Sequence, residues 1–358
     1  MSNLKYAIGI DVSKKDFHCC LSVIDSTQSV RVKCSHKFSN SKSGFKHFLD
    51  WITRNSKEPL PILCVMEATG VYHEQLAWYL NSNDLALSIL LPNKAKKYLQ
   101  ANGAKSKNDK IDARGLAQIG AEKKLGQWVP PTRKLYDLRC YTRQHQSLSE
   151  FHTAMNNQLG AIGHAQFQSS EIVKQLNKTM RLIEKQITEM EAAIEKLVRA
   201  DAVLAAHCKN ITAIKGIGIL SFAVIAAETN GFALFKDAGS LVSYAGYDVV
   251  ENQSGNHVGR TRISKKGNPR IRRILHMPAL CAVRDDQPQF RGLYERVYRR
   301  TGIKMKGYVA VQKKLLVMIY HLWRRNEKYQ ADFNNPNKVI APEESGATHD
   351  KIPEGSFH

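Results

Sequence analysis

The chain has 358 residues, of which 43% are hydrophobic and 24% charged, and its formal net charge at pH 7 is +21. That length suggests two or three domains, and that apolar fraction suffices for real cores, so a chain disordered throughout is excluded. An excess of this size repels itself unless a polyanion offsets it, which points first to nucleic acid and second to an anionic membrane surface.

No apolar run reaches the roughly 18 residues of a spanning helix. Residues 1–6 carry no signal-peptide pattern and lead straight into a strand, so a cytoplasmic protein is expected. The seven cysteines, Cys19, Cys20, Cys34, Cys64, Cys140, Cys208 and Cys281, include no C-x-x-C pair. A zinc site or disulfide framework is therefore not expected, and most of them read as small core residues.

In chain order, Tyr6 to Val12, Phe17 to Ile24 and Arg31 to Phe38 are apolar, β-prone runs, with a hairpin at Asp11 to Asp16. Ser43 to Thr53 places Phe45, Phe48, Leu49 and Ile52 on one helical face. Buried strands are expected at Pro61 to Met66 and Leu85 to Leu91, and helices at Tyr72 to Leu80, Lys94 to Gln100 and Lys110 to Lys123. Three strands followed by alternating helices and strands predict a mixed α/β sheet with helices on its faces, in a ribonuclease-H-like arrangement. Trp128-Val129-Pro130-Pro131 reads as a linker, which bounds a first domain at 1–130.

A helical stretch without proline then runs from Leu135 to about Ala206, with Gly160 and Gly163 as candidate interruptions. Leu176, Met180, Ile183, Ile187, Met190, Ile194 and Leu197 recur at alternating steps of 4 and 3, a coiled-coil seam within or between chains. This defines a helical assembly segment at 131–206. A mainly α-helical basic domain is expected at 207–333. It holds the turn Ile214-Lys215-Gly216-Ile217-Gly218, a mixed segment Phe232 to Tyr247, and a loop Glu251 to Gly259. From Gly255 to Gln330 there are 19 Lys and Arg against 4 Asp and Glu. The polar tail, 334–358, is expected to be disordered.

Four acids stand out. Asp11 ends the first strand and Glu67 a later buried strand, where an acid is costly unless it is paired or binds a cation. Asp109 and Asp112 lie three apart at a helix start and share one face. Together they make a set of hard oxygen ligands suited to Mg²⁺ or Mn²⁺. Taken singly, Asp109 reads as an N-cap, Asp112 as a first-turn charge, and Asp11 as part of a phosphate loop in an actin-like sugar kinase.

Gly9-Ile10-Asp11-Val12-Ser13-Lys14, Met66-Glu67-Ala68-Thr69-Gly70 and Lys107-Asn108-Asp109-Lys110-Ile111-Asp112-Ala113 together resemble the DEDD transposases of the one-hundred-and-ten family of insertion sequences, with the related Piv-type invertases. The resemblance covers nearly the whole chain. It implies a RuvC-like catalytic domain whose metal-binding acids are Asp11, Glu67, Asp109 and Asp112. The family's C-terminal transposase domain is resembled by Leu241-Val242-Ser243-Tyr244-Ala245-Gly246-Tyr247, Gln253-Ser254-Gly255 and Arg262-Ile263-Ser264-Lys265-Lys266-Gly267-Asn268. It implies that Ser254 is the nucleophile that forms a phosphoserine link to DNA, although many relatives carry Ser-Ser-Gly-Gly here. Ser243 and Ser264 are weaker candidates, and on local chemistry alone Ser254 is a turn residue.

Arg260, Arg262 and Lys265 are candidates for stabilising phosphorane charge. Lys215, Gly216 and Gly218 resemble a helix-hairpin-helix turn at which backbone N–H groups meet a phosphate. Lys266, Arg270, Arg272, Arg273, Arg299, Arg300, Lys304, Lys306, Lys313 and Lys314, interleaved with Tyr294, Tyr298 and Tyr308, suit DNA or structured RNA. The resemblance further implies a structured bridge RNA that pairs with donor and target DNA, dimers that assemble into tetramers, and a bacterial, nucleoid-associated setting. A RuvC-like Holliday-junction endonuclease that uses water, and a non-enzymatic nucleic-acid-binding scaffold, are the competing readings.

Overall fold

The computed structural model describes residues 2–68, 70–102, 108–251, 253–254, 257–259, 261–284 and 287–330. Two compact units divide the chain, Met1–Pro130 and Pro131–His358. Arg260 and the tail 334–358 lie outside the described residues.

The first unit is built on strands β1 (Asn3–Val12), β2 (Asp16–Asp25) and β3 (Val30–Ser39), helix α1 (Lys42–Asn55), strand β4 (Ile62–Glu67), helix α2 (Glu74–Asn81), strand β5 (Ala86–Leu90), and helices α3 (Pro92–Ala101) and α4 (Asp109–Glu122). One five-stranded sheet results, in the order β3-β2-β1-β4-β5. β1, β2 and β3 are antiparallel, whereas β4 and β5 run parallel to β1. The mixed α/β sheet expected from the strand pattern is present.

Strand alternation sorts the two faces. Even-numbered residues of β1, namely Tyr6, Ile8, Ile10 and Val12, join Phe45, Phe48 and Ile52 of α1 and Leu76, Ala77 and Leu80 of α2 in one core. Odd-numbered residues face α4: Ala7 packs with Ala121, and Val65 of β4 packs with Leu116 and Ile119. Cys20 of β2 meets Ala113 and Ala117 on that same face.

The second unit is mainly helical, with α5 (Arg133–Gly163), α6 (Ser170–Arg199), α7 (Ala202–Ile211), α8 (Ile219–Glu228), α9 (Ala238–Ala245), α10 (Pro269–Ile274), α11 (His276–Arg284), α12 (Pro288–Thr301) and α13 (Lys304–Arg325). The long helical stretch breaks after Gly163, and α5 and α6 pair as an antiparallel hairpin. His145 Nε2 lies 3.1 Å from Glu191 Oε1, and His152 Nε2 lies 3.0 Å from Glu184 Oε1. The α6 seam is half-buried along its length, and Ile183 and Ile194 are buried. α8 is apolar nearly all round, with Phe222 through Glu228 buried, and forms the centre of this unit's core.

Short ladders lie within and beside the loop expected at Glu251 to Gly259. β6 (Val249–Val250) pairs with β9 (Arg262–Ile263), and β7 (Gln253–Ser254) pairs with β8 (His257–Val258), all antiparallel. Val249, Val250 and Ile263 are β-branched, which favours the extended backbone that a reading of glycines and polar residues underrates. No helix among the described residues is long and apolar enough to cross a membrane.

Candidate active site

Asp11 and Glu67 come together through sheet register. β1 and β4 are paired in parallel from Tyr6↔Ile62 to Ile10↔Met66, and the next position on each strand is Asp11 and Glu67. Asp11 continues the odd-numbered face of β1 after Ala7 and Gly9. Glu67 continues the face of β4 that carries Leu63 and Val65. Both acids therefore stand on the α4 side of the sheet, at the C-terminal ends of their strands.

α4 is brought over these strand ends by Gly9. A Cβ there would lie 2.0 Å from Ala113 O and 2.2 Å from Ala117 N, so only glycine lets the helix backbone lie this close to β1. Further along, Lys5 Nζ donates to Gly120 O at 2.9 Å. Residue 9 faces 113 and 117 while residue 5 reaches 120, so α4 runs antiparallel to β1. Its first turn, with Asp109 and Asp112, thus projects toward Asp11.

The capping role considered for Asp109 belongs to its neighbour. Asn108 is the N-cap, and its Oδ1 accepts from Ile111 N at 2.9 Å. Asp109 and Asp112 both lie in the first helical turn, where a carboxylate is favoured by the helix dipole and is not consumed by capping.

A residue that the sequence reading passed over completes the group. His18 is the cross-strand partner of Asp11 in the β1–β2 ladder, two residues from Cys20 and on the same face. Its Nδ1 lies 3.9 Å from Asp109 Oδ2, and its side chain is only 16% exposed. Neither ring nitrogen has a hydrogen-bond partner among the described residues. A buried polar group left unpaired costs about 1–3 kcal/mol, so such atoms point to something they are built to meet. A signal for His18 existed: in a hairpin that turns between Val12 and Phe17, residue 18 must face residue 11.

Among the described residues no three His, Cys, Asp or Glu side chains close on one point. Convergence of the backbones that carry the acids, and not a formed cage, is what the structure provides. The donor chemistry fits a hard divalent cation: four carboxylates of three converging elements, beside an imidazole with orphaned nitrogens.

In the second unit Ser254 is exposed on β7, in register with His257 of β8. The base of this arm is braced. Gly246 ends α9 in the left-handed conformation, and Lys265 N donates to Gly246 O at 3.1 Å. Arg272 Nη1 donates to Ala245 O at 2.6 Å. Behind it sits Glu228, its side chain 2% exposed, which accepts from Arg143 Nε at 2.8 Å and Nη2 at 3.0 Å and from Asn268 Nδ2 at 2.7 Å. Burial would raise the Glu228 pKa, but the hydrogen bonds and charge of Arg143, with Asn268 and Arg270, outweigh it and hold the carboxyl below its usual range. Asn268 also caps α10, accepting from Arg270 N at 2.9 Å.

The basic candidates divide by setting. Arg262, Lys265 and Lys266 are exposed on or beside β9. Arg270 is half-buried, its Nε 3.9 Å from Glu228 Oε1, and Arg273 pairs with Glu150. Lys215, Gly216 and Gly218 form the turn between α7 and α8. Gly216 has φ +96°, and a Cβ there would meet Cys281 Cβ at 2.9 Å, so glycine is required.

A family model described as Transposase, of the DEDD type named for IS110, matches residues 8–162, and one described as Transposase IS116/IS110/IS902 family matches residues 208–295. The chain belongs to the IS110 family of transposases. The first match spans all four acids of this transposase, and the second spans Ser254 and the Glu228 brace. It is similar to the pilin gene-inverting protein of Moraxella bovis, 27% identical over 326 residues that cover 91% of this chain and 98% of that protein. It is also similar to the transposase for insertion sequence element IS1111A of Coxiella burnetii, at 23% identity over 90% of this chain and 91% of that one. Among solved structures, Thermus thermophilus RuvC matches 34% of this transposase and 99% of its own chain, with 9% identity and a TM-score of 0.28.

Proposed function

We propose that this insertion-sequence transposase cuts and rejoins DNA by metal-assisted phosphoryl transfer, with Asp11, Glu67, Asp109 and Asp112 as oxygen ligands and Ser254 as nucleophile. One observation carries the reading: the β1–β4 register sets Asp11 beside Glu67 on the sheet face over which the first turn of α4, with Asp109 and Asp112, is laid. The sheet order, with three antiparallel strands followed by two parallel ones, supports a ribonuclease-H-like, RuvC-like reading of this unit. Mg²⁺ or Mn²⁺ held there would supply Lewis-acid stabilisation of charge on a phosphate oxygen.

The exposed Ser254 hydroxyl is the attacking group. Its Oγ forms a bond to a DNA phosphorus while the bond from that phosphorus to a sugar oxygen breaks, and the sugar oxygen leaves as a hydroxyl with the serine proton. The reverse step, by the hydroxyl of another strand, releases Ser254 and conserves the phosphodiester. Arg262, Lys265 and Lys266, exposed close to the same arm, are suited to charge on the phosphate in flight. We assign Arg260 the same part from its sequence position. The Lys215-Gly216-Ile217-Gly218 turn, with Arg270 and Arg273, contributes to the nucleic-acid surface. Donor and target DNA are the substrates, a structured guide RNA selects them by pairing, and dimers assemble into tetramers with the α5–α6 hairpin as the assembly element. The net charge of +21 supports polyanion partners.

The test uses purified protein, Mg²⁺, RNA transcribed from the element's flanking non-coding region, and labelled donor and target DNA. A covalent protein–DNA adduct on a denaturing gel, lost in Ser254→Ala, is expected. Cleaved DNA without an adduct, indifferent to Ser254→Ala, would replace the serine by water. Activity in the absence of any added RNA would remove the guide.

A further inference from the structure

The geometry points to His18 as a positioning residue of the carboxylate centre, one that holds Asp109 in place by donating from Nδ1 to its carboxylate when the acids gather on a divalent cation. The inference rests on the metal-centred reading proposed above and adds to it a residue outside the four acids.

Three independent observations meet at His18. Its register opposite Asp11 ties it to the strand that carries the first acid. Its face is that of Cys20, which packs on Ala113 and Ala117, so it lies under the start of α4 and not under α1. Its Nδ1 is 3.9 Å from Asp109 Oδ2, in the same neighbourhood but longer than a hydrogen bond.

The two partners differ in freedom. The imidazole is held between β1, β3 and α4 and is 16% exposed, whereas the Asp109 carboxylate is 61% exposed at the first position of its helix. Asp109 is therefore the group that moves, and a small side-chain adjustment closes the gap. Such a contact satisfies a ring nitrogen that has no partner among the described residues. It also fixes the rotamer of an exposed ligand on the bound cation, which is how an outer partner raises the affinity of a metal site. Asn108 caps α4 through Ile111 N and so leaves Asp109 available to His18.

Mn²⁺ binding to the full-length protein, followed by titration calorimetry without nucleic acid, reads this directly. His18→Leu keeps bulk but removes the donor, and should weaken Mn²⁺ binding about 10- to 100-fold. His18→Gln, which retains an N–H donor, should recover a large part of that loss. Asp11→Asn should abolish binding. Wild-type Mn²⁺ affinity in His18→Leu, with affinity lost in Asp11→Asn, overturns the role of His18 and leaves the carboxylate centre standing. Wild-type affinity in Asp11→Asn overturns the centre and His18 with it. Should His18→Leu fail to fold, imidazole NMR of the native protein decides: adding Mg²⁺ should shift the His18 Nδ1 resonance as its hydrogen bond forms, and an unmoved resonance refutes the inference.

Discussion

The carbonyl oxygen of Ala113 lies 2.0 Å from where a Cβ on Gly9 would be built, so the strand that bears Asp11 and the helix that bears Asp112 touch backbone to backbone. No side-chain rotation relieves a contact of that kind. Gly9→Ala must push α4 off the sheet, at a cost of about 1–3 kcal/mol. It should lower the melting temperature of the protein and depress cleavage more than it depresses DNA binding. Calorimetry together with a filter-binding assay checks both parts, and an unchanged melting temperature would contradict the close approach.

Asp11→Asn and Glu67→Gln remove charge from adjacent strand ends with almost no change of shape. Each should abolish strand cleavage while leaving DNA binding within a few-fold of wild type. Activity of the native protein should vanish in chelator and return with Mg²⁺ or Mn²⁺. Full cleavage by either variant, or cleavage that resists chelation, would remove the metal from the mechanism.

Glu228 should be felt as stability. Its pKa is depressed in the folded state, so its contribution is fully present above the unfolded carboxylate value, near 4.3, and is lost as pH falls through the lower folded value. Glu228→Gln removes the buried carboxylate charge that Arg143 meets and should cost about 1–3 kcal/mol at neutral pH. The cost should shrink as pH falls below the unfolded value, because the unfolded carboxyl takes up its proton before the native one does. Urea unfolding at pH 7 and pH 3.5 tests this; a penalty equal at both would refute the ion-pair account.

The α6 seam carries Ile183, 7% exposed, and half-buried Ile187 against α5. Placing Lys at both positions should destabilise the hairpin by about 2–5 kcal/mol and reduce helicity by circular dichroism. A fall in mass by light scattering, with helicity retained, would instead assign the seam to contacts between chains. Neither change would mean that the seam is not packed.

Much of the first unit was legible in the sequence. Runs such as Tyr6 to Val12 and Phe17 to Ile24 alternate or cluster their apolar residues in ways that only strands accommodate, and the 4-and-3 spacing from Leu176 to Leu197 leaves helix as the sole reading. The arm around Ser254 was harder. Its strands are two residues long, and glycine, asparagine and serine outweigh Val249 and Val250 in any local reading.

Local chemistry by itself determined which residues are acids at strand ends, which are glycines, and where the helices begin and end, because those properties follow from a few neighbouring positions. Only the tertiary structure decided that Asp11 stands beside Glu67, that Glu228 is buried against Arg143, and that His18 lies beneath Asp109. Each depends on strand register or on the approach of two backbones far apart in the chain. A one-residue slip of β1 against β4 would turn Asp11 to the opposite face without altering a single local preference.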